Sequence, residues 1–138
     1  MSFRSKFAAQ ALALVGTPFR LHGRDATTGL DCVGLVVLAA ERAGWRMPRL
    51  LPAYSLRGTS VRKAEEALSG CGLVQVQAVA EGAILLAESG PMQLHLMVQT
   101  GDGIVHAHAG LGRVVLTPPP SLWPLAGVWR FPSFTDQE

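Results

Sequence analysis

The chain has 138 residues, of which 49% are hydrophobic and 16% charged, enough for one domain over residues 1–138 with a sizeable core. A formal net charge of +2 argues against a dedicated nucleic-acid binder, and no apolar run reaches the roughly 18 residues of a membrane span. The two cysteines, Cys32 and Cys71, make no disulfide framework and no C-x-x-C, so reduced thiols are the simpler expectation.

In chain order, "MSFRSKFAAQALALVG" carries basic residues and then a short apolar stretch, as a secretory signal does. The pattern fits a first helix over Phe3–Val15 better. Phe7, Ala11, Leu14 and Val15 form its apolar stripe, and Gly16-Thr17-Pro18 ends it. Without a signal peptide, synthesis and retention in the cytoplasm is the expectation before any delivery step. The turn-rich "GTPFRLHGRDATTG" leads to a second helix, Cys32–Ala43, closed by Gly44. Apolar residues on most of its sides predict a central, buried helix.

"WRMPRLLPAYSLRG" holds two prolines and reads as an irregular loop. Thr59 or Ser60 caps a third helix, Val61–Leu68, whose Glu65 and Glu66 sit with Arg62 and Lys63 on a solvated face. From Leu73 onward the segments "LVQVQAV", "GAILLAE", "LHLMVQ", "GIVHAHA", "RVVLT" and "GVWRFP" are short, β-branched and bounded by turn residues. Thr100–Gly103 is a hairpin turn. Helices first and strands second predict an α+β domain, a meander sheet with the second helix packed on it.

Cys32 is the strongest candidate for chemistry. A helix N-terminus presents unpaired N–H groups and the positive end of the dipole, which favours the nucleophilic thiolate. Asp31 is positioned as the N-cap. The alternative is a small buried residue, which free cysteine commonly is. Cys71, between two glycines, reads as structural.

A cysteine nucleophile needs a base. His95, His106 and His108 fall on one predicted hairpin, with His106 and His108 on the same face and His95 across from them. If the second helix packs on that face, Cys32 meets His95. The result is a nucleophile, a base and a group that orients the base, the arrangement acyl transfer uses. Zinc is the alternative for histidines at i and i+2, but no zinc spacing is present, so neither a metal nor another cofactor is expected.

These stretches resemble the NlpC/P60 family of cysteine peptidases. "ALVGTPFRLHG" is similar to the family's entry segment, and "GLDCVGLV" to G-x-D-C-S-G-L-V. "EGAILLAESGPMQLHLMVQTGDGIVHAHAG" resembles the apolar strand followed by H-(apolar)₄-G-D-G-x-(apolar)₂-H-A. The closing "GRVVLTPPPSLWPLAGVWRFP" and the "LPAYS" loop resemble phage-tail and gene-transfer-agent versions. The resemblance implies a papain-like fold. It also implies cleavage of peptide amides in bacterial peptidoglycan, commonly D-γ-glutamyl to diaminopimelate. Cys32 would be the nucleophile, His95 the base and His106 the third polar residue, with His108 the alternative third group. Asp31, Phe19, His22, Tyr54 and His108 would contact substrate.

The chain departs from the family pattern at Phe19, usually tyrosine, at Val33, usually serine, at "LHGR", and at Ala83, where aspartate is frequent. A second reading therefore stands beside the first: an assembly component of a phage tail-like particle, with other tail proteins as partners and little catalysis. A third is a thiol acyltransferase on a small substrate. Neither nucleic acid nor membrane is an expected partner.

Overall fold

The computed structural model describes residues 2–46, 56 and 58–132. Helix α1 (Phe3–Ala13) starts at Ser2, whose side chain accepts from the Ser5 N–H. Helix α2 (Cys32–Arg42) starts at Asp31, as the sequence predicts, and Ala43 caps its end. Helix α3 (Val61–Gly70) uses Ser60 as its cap and runs two residues past the predicted Leu68 before Cys71 closes it. Among the described residues no helix is long and apolar enough to cross a membrane.

The predicted turn-rich stretch contains a small hairpin, β1 (Arg24–Asp25) against β2 (Gly29–Leu30). Asp25 accepts from the Thr27 and Thr28 N–H groups and folds the turn between them.

The main sheet has strands β3 (Val74–Val76), β4 (Ile84–Gly90), β5 (Gln93–Thr100), β6 (Gly103–His108), β7 (Arg113–Thr117) and β8 (Leu125–Arg130). Its order is β3-β8-β4-β5-β6-β7, antiparallel throughout. The predicted meander therefore holds only from β4 to β7. β8 returns across the sheet to pair with β4, and β3 adds outside it. The reason lies in β4: Ile84, Leu85, Leu86 and Ala87 are all buried, so both faces are covered, as in an interior strand.

Strand alternation divides the apolar residues into two cores. Leu86, Leu96, Val98, Val105 and Ala107 face α1 and α2 in the larger one. At its far end Phe131 meets the rings of Phe3, Phe7 and Trp45 at 4.8, 4.9 and 5.2 Å. Leu85, Ala87, Met97, Ile104 and Val128 form a smaller core on the other face, with Trp123 packed against it.

Candidate active site

Cys32 is the first residue of α2, half-buried. Asp31 does more than cap the helix. Its Oδ1 accepts from the Gly34 N–H and from Arg24 Nη1, both at 2.8 Å, and its Oδ2 accepts from the His22 N–H at 2.8 Å. The carboxylate thus ties the β1 loop to the first turn of α2. Asp31 also lines the cleft described below. The His22 backbone adopts φ 61°, and its exposed side chain does not line the cleft described below.

Gly34 makes this close approach possible. A Cβ at that position would collide with the Gly23 carbonyl oxygen. Gly34→Ala therefore pushes the loop off the helix and strains the Asp31 bonds. The expected cost is about 1–3 kcal/mol of stability, the usual cost of overpacking, together with a fall in any thiol-dependent activity. Urea denaturation of the variant measures the first, and an activity assay under folded conditions the second.

The three hairpin histidines lie on the face of the sheet opposite α2. His95 pairs with Ala87, and its strand neighbour Met97 pairs with Leu85, all on the smaller-core side. The conditional expectation that α2 packs on the imidazole face is therefore corrected. α2 covers the other face because that is where Leu96, Val98, Val105 and Ala107 point.

Cys32 approaches β5 from another side. The β5–β6 ladder runs Thr100↔Gly103, Gln99↔Ile104 and Val98↔Val105. The Gln99 N–H turns to β4, bonding Ala83 O at 2.9 Å. By alternation the Val98, Leu96 and Leu94 N–H groups turn the other way. Of these, the Leu94 N–H meets the Leu56 carbonyl at 3.3 Å, and the Leu96 N–H donates towards the Cys32 sulfur. The start of β5 is thus flanked by Leu56 and Cys32, and the tip of α2 sits in the fork.

Cys32 and His95 line one cleft of about 310 Å³ with Asp31, Phe19, His108 and Trp123. His95 Nε2 lies 3.3 Å from His106 Nδ1, and His106 Nε2 lies 3.4 Å from Thr117 Oγ1. This relay leaves His95 Nδ1 as the ring atom that can serve the thiol. His106 is buried, at 5% exposure. His108 Nδ1 instead accepts the Leu111 N–H at 3.0 Å. Between the two candidates for a third group, His106 is the one that touches His95. Trp123 meets the rings of His95 and His106 edge-on at 5.2 and 5.8 Å. Nothing local in the sequence signals that contact, since Trp123 lies in a proline-rich connection far from either histidine.

Burial pushes the Cys32 thiol up to about 12, with the Asp31 carboxylate adding to it; the Leu96 and Val33 N–H groups and Arg24 pull in the opposite direction. Burial therefore works against the thiolate that the helix start favours. Burial likewise pulls His95 down to about 4, with His106 and His108 contributing, and His106 down to about 4, with His108 contributing.

Of the remaining sequence expectations, Phe19 lines the cleft. Tyr54 lies outside the described residues. Val33 is buried in the larger core and Ala83 in the smaller one, so both departures serve packing. Cys71 is buried in the larger core. Among the described residues no cluster of metal-ligating side chains occurs.

No protein-family model and no curated protein matches the sequence. Solved structures do match. The NlpC/P60 domain of the peptidoglycan hydrolase SagA aligns over 83% of this chain and 88% of its own, at 20% identity and TM-score 0.56. The P60 domain of antigen MAP1204 from M. avium subspecies paratuberculosis aligns over 94% and 93%, at 17% identity and TM-score 0.60. NlpC2 from Trichomonas vaginalis has TM-score 0.66 and 17% identity, with 94% of this chain covering 47% of that one. At these identities the likeness is one of architecture, and it bears out the α+β expectation and the resemblance read from the sequence. In its helices and its antiparallel sheet, this chain has the NlpC/P60 fold.

Proposed function

We propose that the protein is a cysteine endopeptidase that cleaves amide bonds in peptidoglycan stem peptides, of the D-γ-glutamyl to diaminopimelate type. The observation that carries this reading is the sharing of one cleft by Cys32 and His95, with His95 Nε2 held against His106. The chemistry follows from those positions. His95 Nδ1 takes the Cys32 proton as the sulfur attacks the amide carbonyl carbon. In the first turn of α2 the Gly34 N–H is held by Asp31, and the Val33 N–H is directed at the sulfur. The Cys32 N–H is then the first-turn donor for the oxyanion. The C–N bond breaks as His95 returns the proton to the leaving amine. Water then attacks the thioester, giving its proton to His95, and frees the acid and the thiol.

The solved neighbour whose name describes a peptidoglycan hydrolase supports the substrate class. The tail-type resemblance of the closing segment supports synthesis in the cytoplasm and delivery in a phage tail-like particle. The raised Cys32 pKa favours a second reading, an assembly component of such a particle with little catalysis. Purified sacculi separate the two. Under reducing conditions at pH 5–9 the hydrolase releases new amino termini and soluble fragments, identified by mass spectrometry. Intact sacculi across that range would leave the assembly role.

A further inference from the structure

We infer that Thr117 is a positioning residue that fixes which ring nitrogen of His106, and through it of His95, carries the proton, and so leaves the lone pair of His95 on Nδ1. The proton positions stand on geometry. Their consequence for cleavage rests on the cysteine-hydrolase reading above.

Strand register brings these groups together. Ile104 pairs with Thr117 and His106 with Val115, so Thr117 stands diagonal to His106 on one face of the β6–β7 ladder. The Thr117 hydroxyl lies 3.4 Å from the Ile104 carbonyl oxygen and 3.4 Å from His106 Nε2. A carbonyl only accepts, and a hydroxyl has a single proton to give. With that proton directed at Ile104, Thr117 Oγ1 accepts from His106 Nε2–H. His106 Nδ1 then accepts from His95 Nε2–H, 3.3 Å away. Every contact in this chain holds a proton, and the free lone pair falls on His95 Nδ1.

The reverse order leaves a contact empty. Thr117 would donate to His106 Nε2 and His106 Nδ1–H to His95 Nε2. The Thr117 and Ile104 oxygens would then face each other with no proton between them, an arrangement that costs a hydrogen bond. It would also place the His95 proton on Nδ1, where it could no longer act as the base. Burial pulls both rings down to about 4, which disfavours a second proton on either.

The test labels the histidines of the full chain isotopically and reads the ring nitrogens of His95 and His106 by NMR at pH 7. Both rings are expected in the Nε2–H form. Thr117→Val keeps the side-chain shape and removes the hydroxyl, so His106 Nε2 loses its acceptor. Nδ1–H forms should then appear on both rings, and stem-peptide kcat should fall about tenfold with KM unchanged, part of what a well-placed general base supplies. Thr117→Ser should restore the Nε2–H pattern and kcat together. A proton on His106 Nδ1 in the parent protein overturns the inference, whether or not Thr117→Val folds. Unaltered ring nitrogens in folded Thr117→Val, or a Thr117→Ser protein that behaves like Thr117→Val, overturn it as well. If the parent cleaves no stem peptide, the hydrolase reading fails separately, while the ring nitrogens still decide the role of Thr117.

Discussion

On the proposed hydrolase reading, Cys32→Ala is expected to lower stem-peptide cleavage by about 10⁴-fold or more, the loss that follows when a covalent nucleophile is removed and only binding and the oxyanion donor remain. The size of the effect comes from the mechanism, because no other described side chain at the fork between β5 and β6 carries a nucleophile. Folding should survive the change. Cys32 is only half-buried at the helix start, and the Asp31 cap does not involve its side chain. The stability change is therefore expected to stay within about 1 kcal/mol. Fragment release from sacculi, measured beside a urea unfolding curve for the same preparation, reads both quantities. Activity retained in a folded Cys32→Ala protein would remove the sulfur from the mechanism.

The largest effect on stability is expected at the opposite end of the larger core. Phe131 is fully buried and makes edge-on contacts with Phe3, Phe7 and Trp45. These join α1, the segment after α2 and the chain just past β8. Phe131→Ala leaves a cavity that three aromatic neighbours on separate segments cannot close together. The expected cost is about 3–5 kcal/mol, a large share of the roughly 5–15 kcal/mol that holds a domain folded. Leu122→Ala is the matched control. Leu122 is 95% exposed, so its removal should stay within about 0.5 kcal/mol. Chemical denaturation of the two variants and the parent gives the comparison. Equal midpoints for Phe131→Ala and the parent would contradict the packing described here.

The features that sequence reading captured are those set by local chemistry. Asp31 and Ser60 cap helices because a short acceptor side chain precedes each apolar or charged helical run, and both starts fall where expected. The strands from β4 to β8 follow β-branched runs bounded by turn residues. The features that were missed depend on register and on what packs where. The side of the sheet that α2 covers is decided by the parity of Leu96 against His95, and a sequence pattern does not say which face meets a helix. The return of β8 to β4 is a long-range pairing. The fork that brings the Leu96 N–H to the sulfur exists only because β6 stops pairing with β5 beyond Val98. The burial that opposes the thiolate was missed for the same reason, since the helix dipole is a local property and burial is not.

For the site itself, the fold places Cys32 and His95 in one cleft and holds His106 against His95. Asp31 lines that cleft and also holds the loop, whereas the His22 side chain turns to solvent. Trp123 joins the site from a segment whose sequence promised only a connection.

The central claim is a reachable Cys32 thiol that shares a cleft with His95 and whose ionisation burial opposes, and the pH dependence of its alkylation tests this most directly. The native protein is treated with iodoacetamide between pH 5 and pH 10.5, and Cys32 modification is timed by peptide mass spectrometry, with the urea-unfolded chain as reference. Because the folded thiol is raised to about 12, labelling should be slower than in the unfolded chain at pH 7 and should climb steadily through pH 10.5. Rapid labelling that stays level down to pH 5 would reveal a thiolate–imidazolium pair instead. No labelling of the folded protein at any pH, with normal labelling once unfolded, would mean a sealed sulfur and would contradict the account outright.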